Sequence, residues 1–180
     1  MSFRVLTVAA GIAATLGLPA LAQSVQLGGV VTGNDVQRVL ELAQAYGPVE
    51  MRQDEDGTWL RAEYGGLVYT ISFLNCNDQL VNCTSVQFRA WWESENRITL
   101  EQVNAWNRDR RFSDAYLDAN NNATIEWDVT LAGGVTAVNF DDALQWFHSV
   151  LTQFDEEVIA PVFGGTSGGG AATTPPPATK

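Results

Sequence analysis

Apolar residues recur along this chain with two different periods, and the switches between them outline its elements. Val36, Val39, Leu40 and Ala43 fall at helical spacing after Thr32 and Asp35, which are placed as a capping box, and Gly47 closes the run. This predicts a helix over residues 35–46. The period then drops to two. Strands are expected at 49–53 and 58–64, separated by Asp54-Glu-Asp-Gly57, whose closing Asp-Gly pair favours a tight turn. After Gly65-Gly66 come two longer alternating stretches, 67–75 and 84–92. Leu67, Tyr69, Ile71 and Phe73 share one face of the first, and Val86, Phe88, Ala90 and Trp92 share one face of the second.

Helical spacing returns at Thr99-Leu-Glu-Gln102, a second capping-box pattern, and places Leu100, Val103 and Trp106 on one side. Its last turn meets Arg108-Asp-Arg-Arg111, where basic side chains complement the negative end of a helix. A further hairpin is expected from 113–118 and 123–130 around Asn120-Asn-Asn122, with Ile125, Trp127 and Val129 on one face and Glu126 and Asp128 on the other. Asn139 and Asp142 open a final helix that carries Phe140, Leu144, Phe147, Leu151, Phe154 and Val158 on one seam. Trp146 and Val150 widen that stripe enough to cover a sheet and to meet a second subunit. From 164 to 180 the chain is a Gly, Ala, Thr and Pro tail without core-forming residues.

The first residues carry one positive charge, Arg4, followed by an uncharged run from Val5 to Leu18, a break at Pro19, and Ala20-Leu-Ala22. Basic head, short apolar run and A-x-A end predict a signal peptide over 1–22, with cleavage after Ala22 and export to the periplasm or beyond the cell. The expected domain is then 23–163, with no stable membrane anchor after cleavage. The formal net charge is −11, and the single lysine is Lys180. Such a balance disfavours nucleic acid and anionic lipid surfaces, which are bound through basic patches. Cys76 and Cys83, the chain's two cysteines, sit between the two long alternating stretches. In an exported chain that spacing reads as a disulfide at a hairpin tip, stabilising by about 2–3 kcal/mol through loop closure.

Catalytic and metal chemistry find weak support in the residue pattern. His148 is the single histidine and sits beside Phe147 in the middle of an amphipathic helix, where a packed or surface role outweighs membership of a Ser-His-Asp arrangement. Glu126 and Asp128 would lie roughly 6–7 Å apart on one strand face, and they read as the wet side of a strand. Asp118, Asn120 and Asn122 begin like a calcium loop, but Ala123 stands where its glycine is needed and Val129 where its bidentate carboxylate should be. No catalytic residue, metal ligand or cofactor is therefore assigned. The more informative residues are Trp59, Arg61, Arg89 and Trp91, which alternate away from the inferred core and form a candidate partner-binding face. The competing reading places those tryptophans under a cover, as core.

Four runs carry a family resemblance: Val39-Leu-Glu-Leu-Ala-Gln-Ala-Tyr-Gly47, Cys83-Thr-Ser-Val-Gln-Phe-Arg-Ala-Trp-Trp92, Val103-Asn-Ala-Trp-Asn-Arg-Asp-Arg-Arg-Phe112 and Glu126-Trp-Asp-Val-Thr-Leu-Ala-Gly-Gly134. Together they resemble the YbjN domain of bacterial sensory transduction regulators over residues 33–154. The resemblance implies an α+β fold in the order α-β-β-β-β-α-β-β-α, an antiparallel sheet flanked by helices similar to type III secretion chaperones, and often paired with another copy. It implies no catalytic residues. The resulting expectation is a noncatalytic exported regulator or chaperone-like domain that binds an unknown protein partner or forms a homodimer. The alternative is a small-ligand receptor or enzyme with a pocket assembled from separated strands.

Overall fold

The alternating segments pair into an antiparallel sheet in the computed structural model, which describes residues 27–164. The expected signal peptide and residues 165–180 of the expected tail lie outside the described residues. In chain order the elements are β1 (Val30–Val31), α1 (Val36–Gln44), β2 (Val49–Asp54), β3 (Gly57–Tyr64), β4 (Leu67–Leu74) and β5 (Ser85–Trp92). There follow α2 (Leu100–Asp109), β6 (Asp114–Leu117), β7 (Ala123–Thr130), β8 (Val135–Thr136), α3 (Ala137–Phe154), a π-helical segment (Asp155–Ile159) and α4 (Ala160–Phe163). Six strands lie in the order β2-β3-β4-β5-β7-β6, while β1 and β8 form a separate two-stranded pair. The class is α+β, as the family resemblance implies.

Register follows from the apolar alternation. Ile71 lies opposite Phe88, Phe73 opposite Val86, and Ala90 opposite Ile125, so one face of the sheet is continuously apolar. Helix α3 covers that face. Phe88 meets Phe140 and Phe147 at ring distances of 5.9 and 5.4 Å, and Phe154 packs between Trp92 at 5.2 Å and Trp106 at 5.0 Å. Burying each such side chain is worth about 1.5–3 kcal/mol, which makes this layer the main source of stability.

Helix ends depart from the expected positions for local reasons. Helix α1 starts at Val36 because the Asp35 carboxylate turns back to accept from the N–H and hydroxyl of Thr32, at 2.9 and 2.6 Å, and offers no cap to the helix. The capping box on α2 forms as read: the Thr99 hydroxyl accepts from the Gln102 N–H, and the Gln102 side chain accepts from the Thr99 N–H. Leu100, however, does not join the apolar side of that helix; it is exposed at the first turn, while Val103 and Trp106 are buried. Helix α3 begins two residues before Asn139, capped by Thr136, whose hydroxyl accepts from the Asn139 N–H. Val150 is buried as expected, whereas Trp146 remains exposed and meets Phe112 in a tilted ring contact at 5.0 Å.

Cys76 and Cys83 are joined by a disulfide. Gly33 bridges to Cys83 so closely that a Cβ at residue 33 would meet the Cys83 carbonyl oxygen at 1.7 Å. Only glycine allows that approach, which ties the chain ahead of α1 to the β4–β5 connection.

The two edges of the large sheet are treated differently. Along β6, the Asn107 amide of α2 donates to the Ala115 carbonyl and accepts from the Ala115 N–H, both at 2.8 Å, imitating a neighbouring strand. Along β2, residues Glu50 to Asp54 are all exposed. Pro48 accepts from the Glu63 N–H at 3.0 Å, so ladder alternation makes Glu50–Arg61 and Arg52–Trp59 the hydrogen-bonded pairs. The backbone groups of Val49, Met51 and Gln53 therefore point outward.

Candidate functional site

One side of α3 carries polar residues where a core-facing helix is normally apolar. Asp141, Gln145, His148 and Thr152 follow one another at spacings of four, three and four, which stacks them along one stripe. Opposite them stand Tyr46, just beyond α1, Tyr64 at the end of β3, and Tyr69 in β4. Three elements distant in sequence thus deliver three phenols to one histidine.

His148 is 1% exposed. Its ring lies parallel to Tyr64 at 4.1 Å and edge-on to Tyr46 and Tyr69 at 5.0 and 5.2 Å. Nε2 is 2.8 Å from the Tyr69 hydroxyl, while Nδ1 is buried without a hydrogen-bond partner. Tyr69 is itself buried, and it shares with Nε2 one hydrogen bond whose direction follows the imidazole tautomer. Burial pulls the His148 pKa down to about 4, against the opposing pull of the Asp141 charge. The imidazole is accordingly neutral at pH 7.

Asp141 is held by two neutral donors, the Tyr46 hydroxyl at 2.7 Å and the Gln145 amide at 2.8 Å. Burial and that carboxylate push the Tyr46 pKa upward, and burial does the same to Tyr69. Both phenols stay protonated through the physiological range. The aromatic group opens onto a cleft of about 400 Å³ walled by Tyr46, Tyr64 and His148 and rimmed by Gln145, Ser149, Thr152 and Gln153. Its lining offers hydrogen bonds and aromatic rings, with no charged side chain.

The four residues of the candidate partner face do share one side of the sheet, away from α3. Arg61 and Arg89 flank Thr70 in one row, while Trp59 lies beside Ser72 and Trp91 beside Thr124. Their exposure divides them. Trp91 is 3% and Arg89 7% exposed, with the Arg89 guanidinium 5.9 Å from the Trp91 ring and 6.0 Å from that of Tyr116. Trp59 and Arg61 are half-buried next to the open edge, where Trp59 Nε1 donates to Asp54 at 2.8 Å and Arg61 pairs with Glu63 at 2.7 Å.

The carboxylates considered for other chemistry are engaged separately. Glu126 accepts from the Tyr116 hydroxyl at 2.7 Å and lies 3.9 Å from Arg89 Nε, whereas Asp128 faces Gln87 at 3.4 Å. The Asp118 carboxylate accepts from the N–H groups of Asn120 and Asn122 at 2.8 Å each, as a hairpin turn requires. Among the described residues no group of three or more His, Cys, Asp or Glu is arranged to hold a metal ion.

Sequence reasoning singled out His148 but not Tyr46, Tyr64, Tyr69 or Asp141. The polar stripe on α3 was the available signal, because Asp141, Gln145 and His148 interrupt the apolar seam at helical spacing. The tyrosines gave none, since strand alternation alone does not say which strand ends meet a helix.

Among the described residues the chain is an antiparallel α+β domain with an exposed β2 edge and an uncharged aromatic cleft. The chain belongs to the YbjN family, described as a putative bacterial sensory transduction regulator, whose profile matches residues 35–160. That match runs from the residue before α1 to the first residue of α4 and includes the complete six-stranded sheet. The family description is regulatory and names no reaction. Comparison with curated proteins gives no match.

Proposed function

We propose that this protein is an exported, noncatalytic regulator that acts by binding another polypeptide along the β2 edge of its sheet. The observation that carries this reading is the contrast between the edges: β6 is closed by Asn107, whereas β2 presents the backbone of Val49, Met51 and Gln53 outward. Strand addition at such an edge gives affinity through main-chain hydrogen bonds, with neighbouring side chains setting specificity. Trp59 and Arg61 stand beside this edge and would supply them. Export is supported by the signal-like leader and by the disulfide, which persists in an oxidising compartment.

The edge is also self-complementary. An antiparallel pairing of two copies centred on Met51 would set Glu50 opposite Arg52 of the second copy and Val49 opposite Gln53, with outward-facing backbone matched to outward-facing backbone. Photocrosslinking from position 53 in the intact cell envelope tests the edge, and light scattering on the purified protein tests the second copy. A discrete adduct is expected, and its absence removes the edge-binding reading. If the adduct is a self-dimer, Glu50→Arg should weaken it about tenfold by facing Arg52 with a like charge, and the exchange Glu50→Arg with Arg52→Glu should restore it.

A second reading, a small-ligand receptor, is favoured by one specific observation: the polar aromatic cleft of about 400 Å³ that Tyr46, Tyr64 and His148 line.

A further inference from the structure

We infer that the cleft around His148 is a binding site for an uncharged, hydroxyl-rich ligand of the size of a mono- or disaccharide. This deepens the receptor reading and rests on it. Charge is the first argument. The lining consists of phenols, hydroxyls, amides and one imidazole, so an anionic ligand would find no cation, and the nearby Asp141 carboxylate would repel it. That carboxylate is already held by Tyr46 and Gln145, which leaves it poorly placed to attract a cation.

Shape is the second argument. One face of Tyr64 is covered by the parallel imidazole at 4.1 Å, and Tyr46 is the second phenol of the lining. A cage for an organic cation needs aromatic faces on several sides, whereas a phenol wall beside polar groups suits the C–H face of a sugar ring. The rim then matches in hydrogen bonding. Gln145, Gln153, Ser149 and Thr152 can each donate and accept, as sugar hydroxyls do.

Size is the third argument. The volume of about 400 Å³ accommodates one or two pyranose rings.

The test is nuclear magnetic resonance of the purified protein, following the imidazole nitrogens of His148 and the ring protons of Tyr64 during titration with five probes. Glucose, maltose and N-acetylglucosamine represent the proposed class, and glucuronate and choline represent anions and cations. At least one neutral sugar is expected to shift both sets of signals at millimolar concentration, with glucuronate and choline at least tenfold weaker. Tyr64→Ala should weaken that sugar about tenfold, and Gln153→Ala, at the rim and outside the core, about fivefold. If glucuronate or choline binds and the sugars do not, the ligand class is wrong and the receptor reading stands. If none of the five moves these signals, or if Gln153→Ala binds the sugar like the parent, the proposal fails.

Discussion

His148 shows how one residue can be fixed by its surroundings more than by its own chemistry. An ordinary histidine titrates near 6.5, but here burial holds the folded-state value at about 4. Between those values the unfolded chain binds a proton that the native chain refuses. Acidification from pH 6.5 to 4 therefore favours unfolding, by about 3 kcal/mol in total, while above pH 6.5 the stabilisation is complete. His148→Gln, which keeps an acceptor for Tyr69, should make the urea midpoint less dependent on pH across that window; equal slopes for both proteins would contradict this assignment. Trp91 is the second informative residue. With 3% exposure, its replacement by alanine is expected to cost about 3–5 kcal/mol, measured by urea unfolding, whereas a surface recognition residue would lose almost nothing.

At the scale of elements, β2 makes the sharpest prediction because its two sets of backbone groups have different fates. Met51 directs its N–H outward, so Met51→Pro removes no bond to β3. Arg52 directs its N–H into the β2–β3 ladder, so Arg52→Pro breaks the sheet. The first variant should unfold within about 1 kcal/mol of the parent and lose the crosslinked adduct from position 53; the second should lose about 3 kcal/mol or more. A larger loss from Met51→Pro than from Arg52→Pro would show that the ladder alternates the other way. The helix ends teach a related lesson. Thr99 and Gln102 cap α2 as the sequence alone indicates, because both partners lie within one turn. Thr32 and Asp35 carry a similar signature, yet Asp35 spends its carboxylate on Thr32, and α1 starts one residue later than read.

For the molecule as a whole, the disulfide and the aromatic layer stabilise in different ways. The layer between α3 and the sheet provides the bulk of the burial, while the Cys76–Cys83 bond closes a short loop and restricts the unfolded chain. Replacing both cysteines by serine is expected to cost about 2–3 kcal/mol and lower the melting temperature by about 5–10 °C, with the fold retained by circular dichroism. Reduction of the parent protein should reproduce that shift. A larger loss, or unfolding on reduction, would mean that the bond is a condition for the fold.

The sequence by itself determined the class, the strand faces and the disulfide, because each depends on local periodicity or on residues close along the chain. Leu67, Tyr69, Ile71 and Phe73 had to face one way whatever the strand order. Only the tertiary structure decided that β5 pairs with β7, that Asn107 closes one edge while Met51 lies on the other, and that Tyr46, Tyr64 and Tyr69 surround His148. Those outcomes depend on packing between segments up to about a hundred residues apart, where the free energy of a contact belongs to both partners and neither sequence neighbourhood contains it.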